Sequence, residues 1–432
     1  MRRLAGALLL IVAAVTTAIA AEPIADFIRR HWATPIPAQG PPPAGWSALE
    51  SALAPEACGT CHPVQYADWR TSVHATSMGP GIAGQLAEME SAHRGSTLEC
   101  RTCHAPLAEQ SPLTRTRSGL VANRSFDPAL GGRGVVCAGC HVRGHQRFGP
   151  PRRDGSLASA SPRAKLPHRG VTRTPAFLSS EFCRGCHQFT PAGFALNGKL
   201  LQDTYAEWQA SRFAREGVQC QDCHMPDRRH LWRGIHDPAM VASGVEITVT
   251  PDGPSLTAGR DFAVTLEVRN TRVGHAFPTY VTPRVLLRGE LVDAAGPMAG
   301  SRREVVVARE VALDLSRELS DTRLGPGQSA RLAYSGRVER PDVRLRLTVV
   351  VEPDAFYTAF FETLLAQGAG RGEAEIREAL EATRRSPFTL FEREIAFGGP
   401  AVGRVPGPTP DRSPRRRREG RSRRAVRRRG AR

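Results

Sequence analysis

The sequence has no unpaired cysteine, almost no lysine and no long apolar run beyond its N-terminus. Every cysteine lies before residue 224, so the second half of the chain offers no thiol to a metal or a disulfide. Positive charge comes from arginine, because lysine occurs only at Lys165 and Lys199. No stretch after the N-terminus approaches the roughly 20 apolar residues of a membrane-spanning helix. These absences confine the cysteine chemistry and any membrane insertion to the N-terminal half.

The ten cysteines form five pairs at one spacing, and a histidine directly follows each pair. The pairs are Cys58/Cys61, Cys100/Cys103, Cys137/Cys140, Cys183/Cys186 and Cys220/Cys223, followed by His62, His104, His141, His187 and His224. The C-x-x-C-H string is the attachment site of c-type haem. Its two thiols form thioethers to the haem, and its imidazole binds the iron from the proximal side. The pattern predicts five covalently bound haems and five proximal iron ligands.

Zinc is the main alternative, because two C-x-x-C pairs also build a tetrahedral Cys₄ site. Five pairs cannot all be matched two by two, however, and a zinc site needs no histidine after every second cysteine. A C-x-x-C redox switch would be expected once, beside a βαβ pattern. Disulfides leave the histidines equally unexplained. The repeated histidine therefore favours haem over these alternatives.

The first residues have the layout of a cleaved signal peptide. Met1-Arg2-Arg3 is followed by an apolar run at residues 4–15 and by Ala18-Ile19-Ala20, which resembles a signal-peptidase site. We expect residues 1–20 to direct export to the periplasm, where covalent haem attachment takes place. An uncleaved membrane anchor is the alternative, because the run is nearly long enough to span a bilayer.

The formal charge of +17 arises mainly at the other end of the chain. Residues 410–432 contain twelve arginines against Asp411 and Glu419, so the rest of the mature chain is nearly neutral and indicates no nucleic-acid partner. Residues 401–432 are of low complexity and predict a disordered Arg-rich tail. Such a tail could contact an acidic redox partner or an anionic membrane surface.

Between these ends the character of the chain changes twice. Residues 21–57 are rich in proline and predict an extended arm. Residues 58–240 provide only about 36 residues per motif, too few for a conventional core around each haem. We expect a multihaem cytochrome domain of sparse short helices and loops around the haems. Residues 241–400 alternate with period two and predict an all-β, sandwich-like domain.

Within this second domain, alternation predicts seven strands and one helix. The strands are expected at residues 245–250, 262–268, 285–292, 304–313, 330–338, 343–351 and 388–397. The helix is expected at Glu373–Arg384.

The motif-rich region contains a short internal repeat. Segments 66–75 and 205–214 share tyrosine, tryptophan and serine at one spacing, in Tyr66-Ala-Asp68-Trp69-Arg-Thr-Ser72 and Tyr205-Ala-Glu207-Trp208-Gln-Ala-Ser211. The pattern is consistent with two helices that each pack an aromatic face on a haem. His74 of the first copy is replaced by Phe213 in the second, so only the first copy offers an iron ligand.

Eight further histidines are available for the distal side of the irons. His74 is the first candidate, because it lies in the aromatic-rich helix after the first motif. The other distal candidates are His275, His236, His168 and His145, with His93 and His230 in reserve. We expect His31 at the surface of the arm. A methionine ligand would raise the reduction potential, but we expect Met78 and Met89 to pack instead.

His275 is the only histidine after His236 and so the only one that the β domain could direct at an iron. Asn270 and Gly274 indicate a turn after a strand, and Pro278 stiffens the same segment. We therefore expect His275 to ligate an iron from across the domain boundary.

Four segments carry a likeness to a known family. They are Trp69-x-x-Ser72-x-His74-Ala75, Cys103-His104-Ala105-Pro106, Gln219-Cys220-Gln-Asp-Cys223-His224-Met225-Pro226 and Asn270-x-x-x-Gly274-His275-x-Phe277-Pro278. Over about residues 55–280 the chain resembles the multihaem cytochromes of the cytochrome c-554 type. The resemblance implies that His74 is a distal ligand and that closely spaced haem pairs pass electrons. Five motifs in place of four, and the added β domain, leave haem order and partner open.

Three functions are consistent with these patterns. The first is an exported pentahaem carrier with no catalytic residues, which transfers electrons between redox partner proteins through mostly bis-His haems. The second is an oxidoreductase that acts on a small nitrogen or sulfur compound at one haem with an open position. Against it, the chain has no C-x-x-C-K variant, a mark of some nitrite-reducing haems. The third is a haem module of a larger membrane-associated complex.

Overall fold

The computed structural model describes residues 22–158, 166–252 and 256–398. The predicted signal peptide (1–20) and Arg-rich tail (401–432) lie outside these ranges. No helix within them is long and apolar enough to cross a membrane.

Short helices joined by loops make up the region of the five motifs, as the sequence predicts. The helices are α1 (Ile24–His31), α2 (Ala48–Ser51), α3 (Pro55–Cys61), α4 (Pro63–Trp69), α5 (Pro80–Ala92), α6 (Arg94–His104), α7 (Pro128–Gly131), α8 (Cys137–His141), α9 (Arg184–His187), α10 (Thr204–Ala210), α11 (Arg212–Arg215), α12 (Cys220–His224) and α13 (Pro238–Gly244). Proline opens several of them, where its missing N–H costs nothing.

Three small strand groups lie among these helices. They are β1 (Leu113–Thr116) with β2 (Gly119–Ala122), β3 (Val142–Arg143) with β4 (Gln146–Gly149) and β5 (Thr172–Arg173), and β6 (Ala195–Leu196) with β7 (Lys199–Leu200). Short 3₁₀ turns lie at Ala108–Gln110, Pro167–Arg169, Pro175–Leu178, Ser180–Phe182, Pro226–Arg228 and Gly370–Gly372. The buried apolar residues of this half fall into several small clusters, as expected where haems supply much of the apolar surface.

The Pro-rich arm is partly helical, and the expectation that His31 lies at its surface is wrong. His31 is only 3 % exposed and hydrogen bonds through Nε2 to the Cys140 carbonyl at 2.8 Å. Phe27, one turn earlier on α1, is buried beside it, with ring centres 4.8 Å apart. The i,i+4 spacing places both rings on the face of α1 that packs on aromatic residues of the motif region.

The second half is rich in strands, and each of the seven predicted strands is present with small shifts at its ends. Its strands are β8 (Val245–Asp252), β9 (Asp261–Asn270), β10 (Arg284–Asp293), β11 (Gly296–Pro297), β12 (Arg303–Val311), β13 (Glu318–Asp321), β14 (Ser329–Arg337), β15 (Arg344–Glu352) and β16 (Phe388–Ala396).

These strands form two antiparallel sheets around one apolar cluster. One sheet has the order β13-β12-β10-β15-β16 with β11 attached to β10, and the other has the order β14-β9-β8. In register, Leu287 of β10 lies between Val305 of β12 and Val349 of β15. Leu287 and Val349 belong to the same buried cluster as Leu266 of β9 in the other sheet.

Two helices interrupt the strands of this half, so it is not purely β. The predicted helix is present as α15 (Glu373–Arg385), whereas α14 (Ala355–Gln367) was not predicted. A Cβ built on Gly84 of α5 would lie 2.8 Å from Ile376 of α15. The C-terminal helices therefore pack closely on the motif region.

A buried charge network also joins the two halves. Arg309 of β12 is 1 % exposed and pairs with Glu318 of β13 at 2.9 Å. Its guanidinium also donates to carbonyls of the β6–β7 hairpin, at Leu196, Lys199 and Leu200. The hairpin is thereby fixed to the second half through a buried arginine that makes four hydrogen bonds.

Candidate metal centre

Each C-x-x-C-H string occupies one helical turn. The second, third and fifth strings lie within α6, α8 and α12, and the fourth begins at the N-cap of α9. The first string ends α3, with His62 as its C-cap. In a helix, residues at i, i+3 and i+4 share one face. The two thiols and the imidazole of each motif are therefore presented together, as covalent haem attachment requires.

The proximal histidines are oriented by backbone carbonyls. Nδ1 of His104, His141 and His224 hydrogen bonds to the carbonyls of Ser77, Phe148 and Arg233, at 2.7, 2.8 and 2.8 Å. A carbonyl only accepts hydrogen bonds, so Nδ1 carries the proton and Nε2 keeps its lone pair for a metal.

Three candidate distal histidines lie opposite a proximal histidine. The ring centres are 6.2 Å apart for His74 and His187, 6.2 Å for His141 and His230, and 6.4 Å for His224 and His275. Two imidazoles that bind one metal from opposite sides, with bonds of about 2 Å, have ring centres about 6 Å apart. The spacing of all three pairs fits one iron each.

The distal rings of these pairs also have the chemistry of a ligand. Nδ1 of His230 and His275 hydrogen bonds to the carbonyls of Arg228 (3.1 Å) and Ala276 (2.8 Å), which leaves Nε2 for a metal. Burial lowers the pKa of His74 to about 3 and that of His275 to about 4. These imidazoles are therefore neutral at physiological pH. His74 lies in the turns after α4, not within a helix as the sequence suggested.

Among the described residues, no histidine faces the proximal histidine of the first or the second motif as clearly as in these three pairs. His168 lies within electrostatic reach of His62, and its Nδ1 hydrogen bonds to the Gly170 carbonyl at 3.0 Å. It is thus the best candidate to face the first motif. No described histidine pairs in this way with His104.

His145, His236 and His93 do not pair with any proximal histidine. His145 is buried and hydrogen bonds through Nε2 to the Gly40 carbonyl at 2.9 Å. Nε2 of His236 lies 3.0 Å from both carboxylate oxygens of Asp354. Nε2 of both is thus engaged, whereas Nδ1 of His145 is buried without a hydrogen-bond partner, and their assignment as distal ligands stays a prediction.

The exposed His93 immediately precedes α6, which ends at His104. The eleven residues of α6 rise by about 16 Å, too far for both rings to meet one iron. Of the predicted distal candidates, His74, His230 and His275 face a proximal histidine, and their role as ligands, like that of His168, stays a prediction.

The five attachment sites form one connected group. Cysteines of different motifs lie close together, Cys58 beside Cys137, Cys103 beside Cys186, and Cys183 beside Cys220. Cys140 of the third motif lies within electrostatic reach of the two cysteines of the fourth. No three described His, Cys, Asp or Glu side chains converge to hold a metal ion by themselves.

Buried donors without partners fit the carboxylates of a bound haem. Trp32 Nε1 and one terminal nitrogen of Arg143 are buried with no hydrogen-bond partner in the described ranges. The Arg143 guanidinium lies 5.2 Å from the centre of the Trp32 ring, and that ring packs beside Gly185 of the fourth motif. An unpaired buried donor is costly, and a haem propionate would satisfy both. The residues present therefore fit the group that the motifs imply.

Sequence reasoning undervalued His230 and missed the acids that hold the distal loops. Asp68 accepts hydrogen bonds from Arg229 and from the backbone N–H of His230, and Glu207 accepts one from the backbone N–H of Ala276, next to His275. The internal repeat could have identified these acids, because its two copies align Asp68 with Glu207.

Comparison with known proteins agrees with this geometry. Residues 57–142, which include the first three motifs, match the family described as cytochrome c554 and c-prime. The fold is similar to that of a penta-heme cytochrome c552 from Thermochromatium tepidum, at 20 % identity and a TM-score of 0.58 over 81 % of this chain and 100 % of that chain.

Two further comparisons add nothing to the assignment. A likeness to the putative ApaA protein from Bordetella pertussis, at 14 % identity over 36 % of this chain and 94 % of that chain, has a TM-score of 0.15 and carries no argument. No curated protein sequence matches the chain.

The C-x-x-C-H strings, the family match and the shared fold lead to one assignment. The chain resembles the multihaem c-type cytochromes of the cytochrome c-554 type.

Proposed function

We propose that the chain is an exported pentahaem cytochrome that transfers electrons between redox partner proteins. The observation that carries the proposal is the set of three histidine pairs at 6.2–6.4 Å, each with its proximal member from a different motif. Bound haem supplies reversible one-electron exchange at iron. At these three motifs the protein supplies imidazoles on both sides, which suits electron transfer because no position is left there for a substrate.

The count of five haems follows from the five complete motifs, each of which presents its thiols and imidazole together. The proposed distal ligands are His168 for the first motif, His230 for the third, His74 for the fourth and His275 for the fifth. The contacts between thiols of different motifs support transfer within the protein, because they place attachment sites side by side. Export to the periplasm is supported by the signal-like residues 1–20.

The second half is proposed to be a β-sandwich that directs His275 at the fifth motif. Support comes from the single apolar cluster shared by the β9-containing and β10-containing sheets. Together with the tail, this half could hold the protein against a partner or an anionic membrane surface.

A second candidate function is reduction or oxidation of a small nitrogen or sulfur compound at the second motif. Only four distal ligands are proposed for the five proximal histidines, and His104 is the proximal histidine with no described histidine opposite it. Near this motif lie the half-buried phenols of Tyr280 and Tyr357, whose pKa values are raised by burial. Met78 is no substitute ligand, because Ser77 beside it accepts a hydrogen bond from His104 and so lies on the proximal side.

An electron paramagnetic resonance spectrum of the oxidised protein distinguishes the two functions. A carrier gives low-spin signals only, and added azide leaves them unchanged. An enzyme with an open iron at the second motif gives one high-spin signal that azide converts to low spin. Low-spin signals from fewer than three irons would contradict the proposed histidine pairs in either case.

A further inference from the structure

The two similar segments, 66–75 and 205–214, position other residues in the same way. Both form helices, α4 and α10, in which the tyrosine and tryptophan rings pack together at 5.9 and 5.4 Å. If the two copies shared only a packing role, they would have only the aromatic residues in common. These copies also align an acidic residue directly before the tryptophan, Asp68 in one and Glu207 in the other.

The tryptophan of each copy holds a haem motif. Trp69 Nε1 donates to the carbonyl of Val135 at 2.7 Å, and Trp208 Nε1 donates to the carbonyl of Val218 at 3.0 Å. Each accepting carbonyl lies two residues before the first cysteine of a motif, the third motif for Trp69 and the fifth for Trp208. The same hydrogen bond therefore fixes the start of a proximal turn in both copies.

The acid of each copy holds the loop of a distal histidine. Asp68 is buried and accepts from the backbone N–H of His230 at 3.0 Å, while Arg229 donates two hydrogen bonds to its carboxylate at 2.6 and 2.7 Å. These hydrogen bonds lower the pKa of Asp68 and keep it ionised.

Glu207 of the second copy makes an equivalent set of contacts. It accepts from the backbone N–H of Ala276 at 3.1 Å and from the hydroxyl of Thr279 at 3.0 Å. Arg323 donates to its other oxygen at 2.8 Å. Each acid thus combines a backbone N–H beside the distal histidine with one arginine.

The two contacts of each helix converge on a single histidine pair. Trp69 holds the motif of His141 and Asp68 holds His230, and these two imidazoles face each other. Trp208 holds the motif of His224 and Glu207 holds the segment of His275, and these two also face each other.

The loop of His230 has particular need of such support. Asp227, Arg228 and Trp232 have φ values of 54°, 65° and 41°, in the left-handed region that costs non-glycine residues energy. A loop with this backbone keeps its shape only where other contacts hold it, and Asp68 supplies charged hydrogen bonds at its centre.

We propose that the Tyr-x-Asp/Glu-Trp helix is a repeated clamp that sets both axial histidines of one haem. Asp68 and Trp69 act for the third motif, and Glu207 and Trp208 act for the fifth. The acids are positioning residues, because they touch the backbone beside the ligand and not the ligand ring. The inference rests on the proposed ligation by His230 and His275.

The test compares paramagnetic resonance spectra of four alanine variants and two control variants of the full-length haem-loaded protein. Asp68→Ala and His230→Ala should convert the same low-spin signal to high spin. Glu207→Ala and His275→Ala should convert a second, different signal. Arg70→Ala and Gln209→Ala remove exposed side chains at the position after each tryptophan and should leave every signal in place.

Milder variants guard against loss of folding. Asp68→Asn and Glu207→Gln keep an oxygen for the backbone N–H but lose the charge that holds the arginine. Each should shift its own low-spin signal and no other, with unchanged haem content measured by pyridine haemochrome. A shift in several signals at once, or in none, would overturn the clamp.

The outcomes separate the clamp from the ligation on which it rests. If the histidine variants keep all their low-spin signals, the proposed ligation fails. If the histidine variants each lose one signal but the acid variants change none, the ligation stands and the clamp is wrong.

Discussion

At the scale of single residues, the hydrogen bond of one ring nitrogen separates the proposed iron ligands from histidines that bond elsewhere through Nε2. His230 and His275 use Nδ1 and leave Nε2 available, whereas His31, His145 and His236 use Nε2. All five are surrounded by similar sequence, rich in arginine and small residues. The difference is a matter of ring orientation, which neighbouring backbone carbonyls set.

His74 and His236 give a matched pair of variants, because the first ring faces a proximal histidine and the second is engaged by a carboxylate. His74→Ala should turn one low-spin iron high-spin, because the ring that faces His187 is lost. His236→Ala should leave the spin states unchanged, because its Nε2 is engaged by Asp354. Magnetic circular dichroism of the oxidised proteins reports both. Equal effects of the two substitutions would show that ring orientation does not identify the ligands.

At the scale of elements, the sequence was a good guide wherever burial has a simple period. The strands β9 and β15 bury alternate residues over their whole length, so their pattern was visible in advance. Helix α14 was missed because its sequence, Ala-Phe-Tyr-Thr-Ala-Phe-Phe, is apolar on all sides and has no amphipathic period. Strand β13 was missed because it is four residues long and polar.

The distal ligands were harder to predict than the strands because they lie in loops. The C-x-x-C-H spacing identifies proximal histidines through local geometry alone. A distal histidine comes from a distant part of the chain, so its choice depends on how loops pack. His230 shows this clearly, since its position depends on Asp68, which is 162 residues earlier. His145, in contrast, lies near a motif in sequence but turns its Nε2 to Gly40.

The contact between α5 and α15 depends on glycine. A Cβ on Gly84 would lie 2.8 Å from Ile376 and 2.9 Å from the carbonyl of Gly372, closer than side chains tolerate. Gly84→Val should therefore reduce the free energy of unfolding by about 1–3 kcal/mol through overpacking.

Chemical denaturation followed by far-UV circular dichroism measures this loss. Gly132→Ala is the control, because a Cβ at Gly132 has no atom within 4 Å. An unchanged midpoint for Gly84→Val would mean that the two helices do not pack as closely as described.

At the scale of the whole molecule, the two halves are joined by the Arg309 network. Replacement of Arg309 by methionine leaves the buried Glu318 without its closest arginine and frees three carbonyls of the β6–β7 hairpin. Glu318 keeps Lys199 at 2.7 Å, so the loss arises mainly from the carbonyls left without a donor, at about 1–3 kcal/mol for a buried unsatisfied group. We expect Arg309→Met to lower the thermal midpoint and to make the β6–β7 hairpin sensitive to limited proteolysis.

Arg302→Met is the matched control. Arg302 also pairs with a carboxylate, that of Glu290, but its own side chain is 56 % exposed. Exposed ion pairs contribute at most about 1 kcal/mol. A similar loss of stability in both variants would contradict the view that the buried network joins the halves.

The large apolar cluster of the molecule lies between the two sheets, while the motif region has only small clusters. That distribution follows if five haems complete the core of the motif region. The most direct test is the intact mass of the purified mature protein under denaturing, reducing conditions. We predict the mass of the chain without residues 1–20 plus five haems, with no free thiol available to an alkylating reagent. A mass with fewer haems, or with alkylated cysteines, would contradict the account.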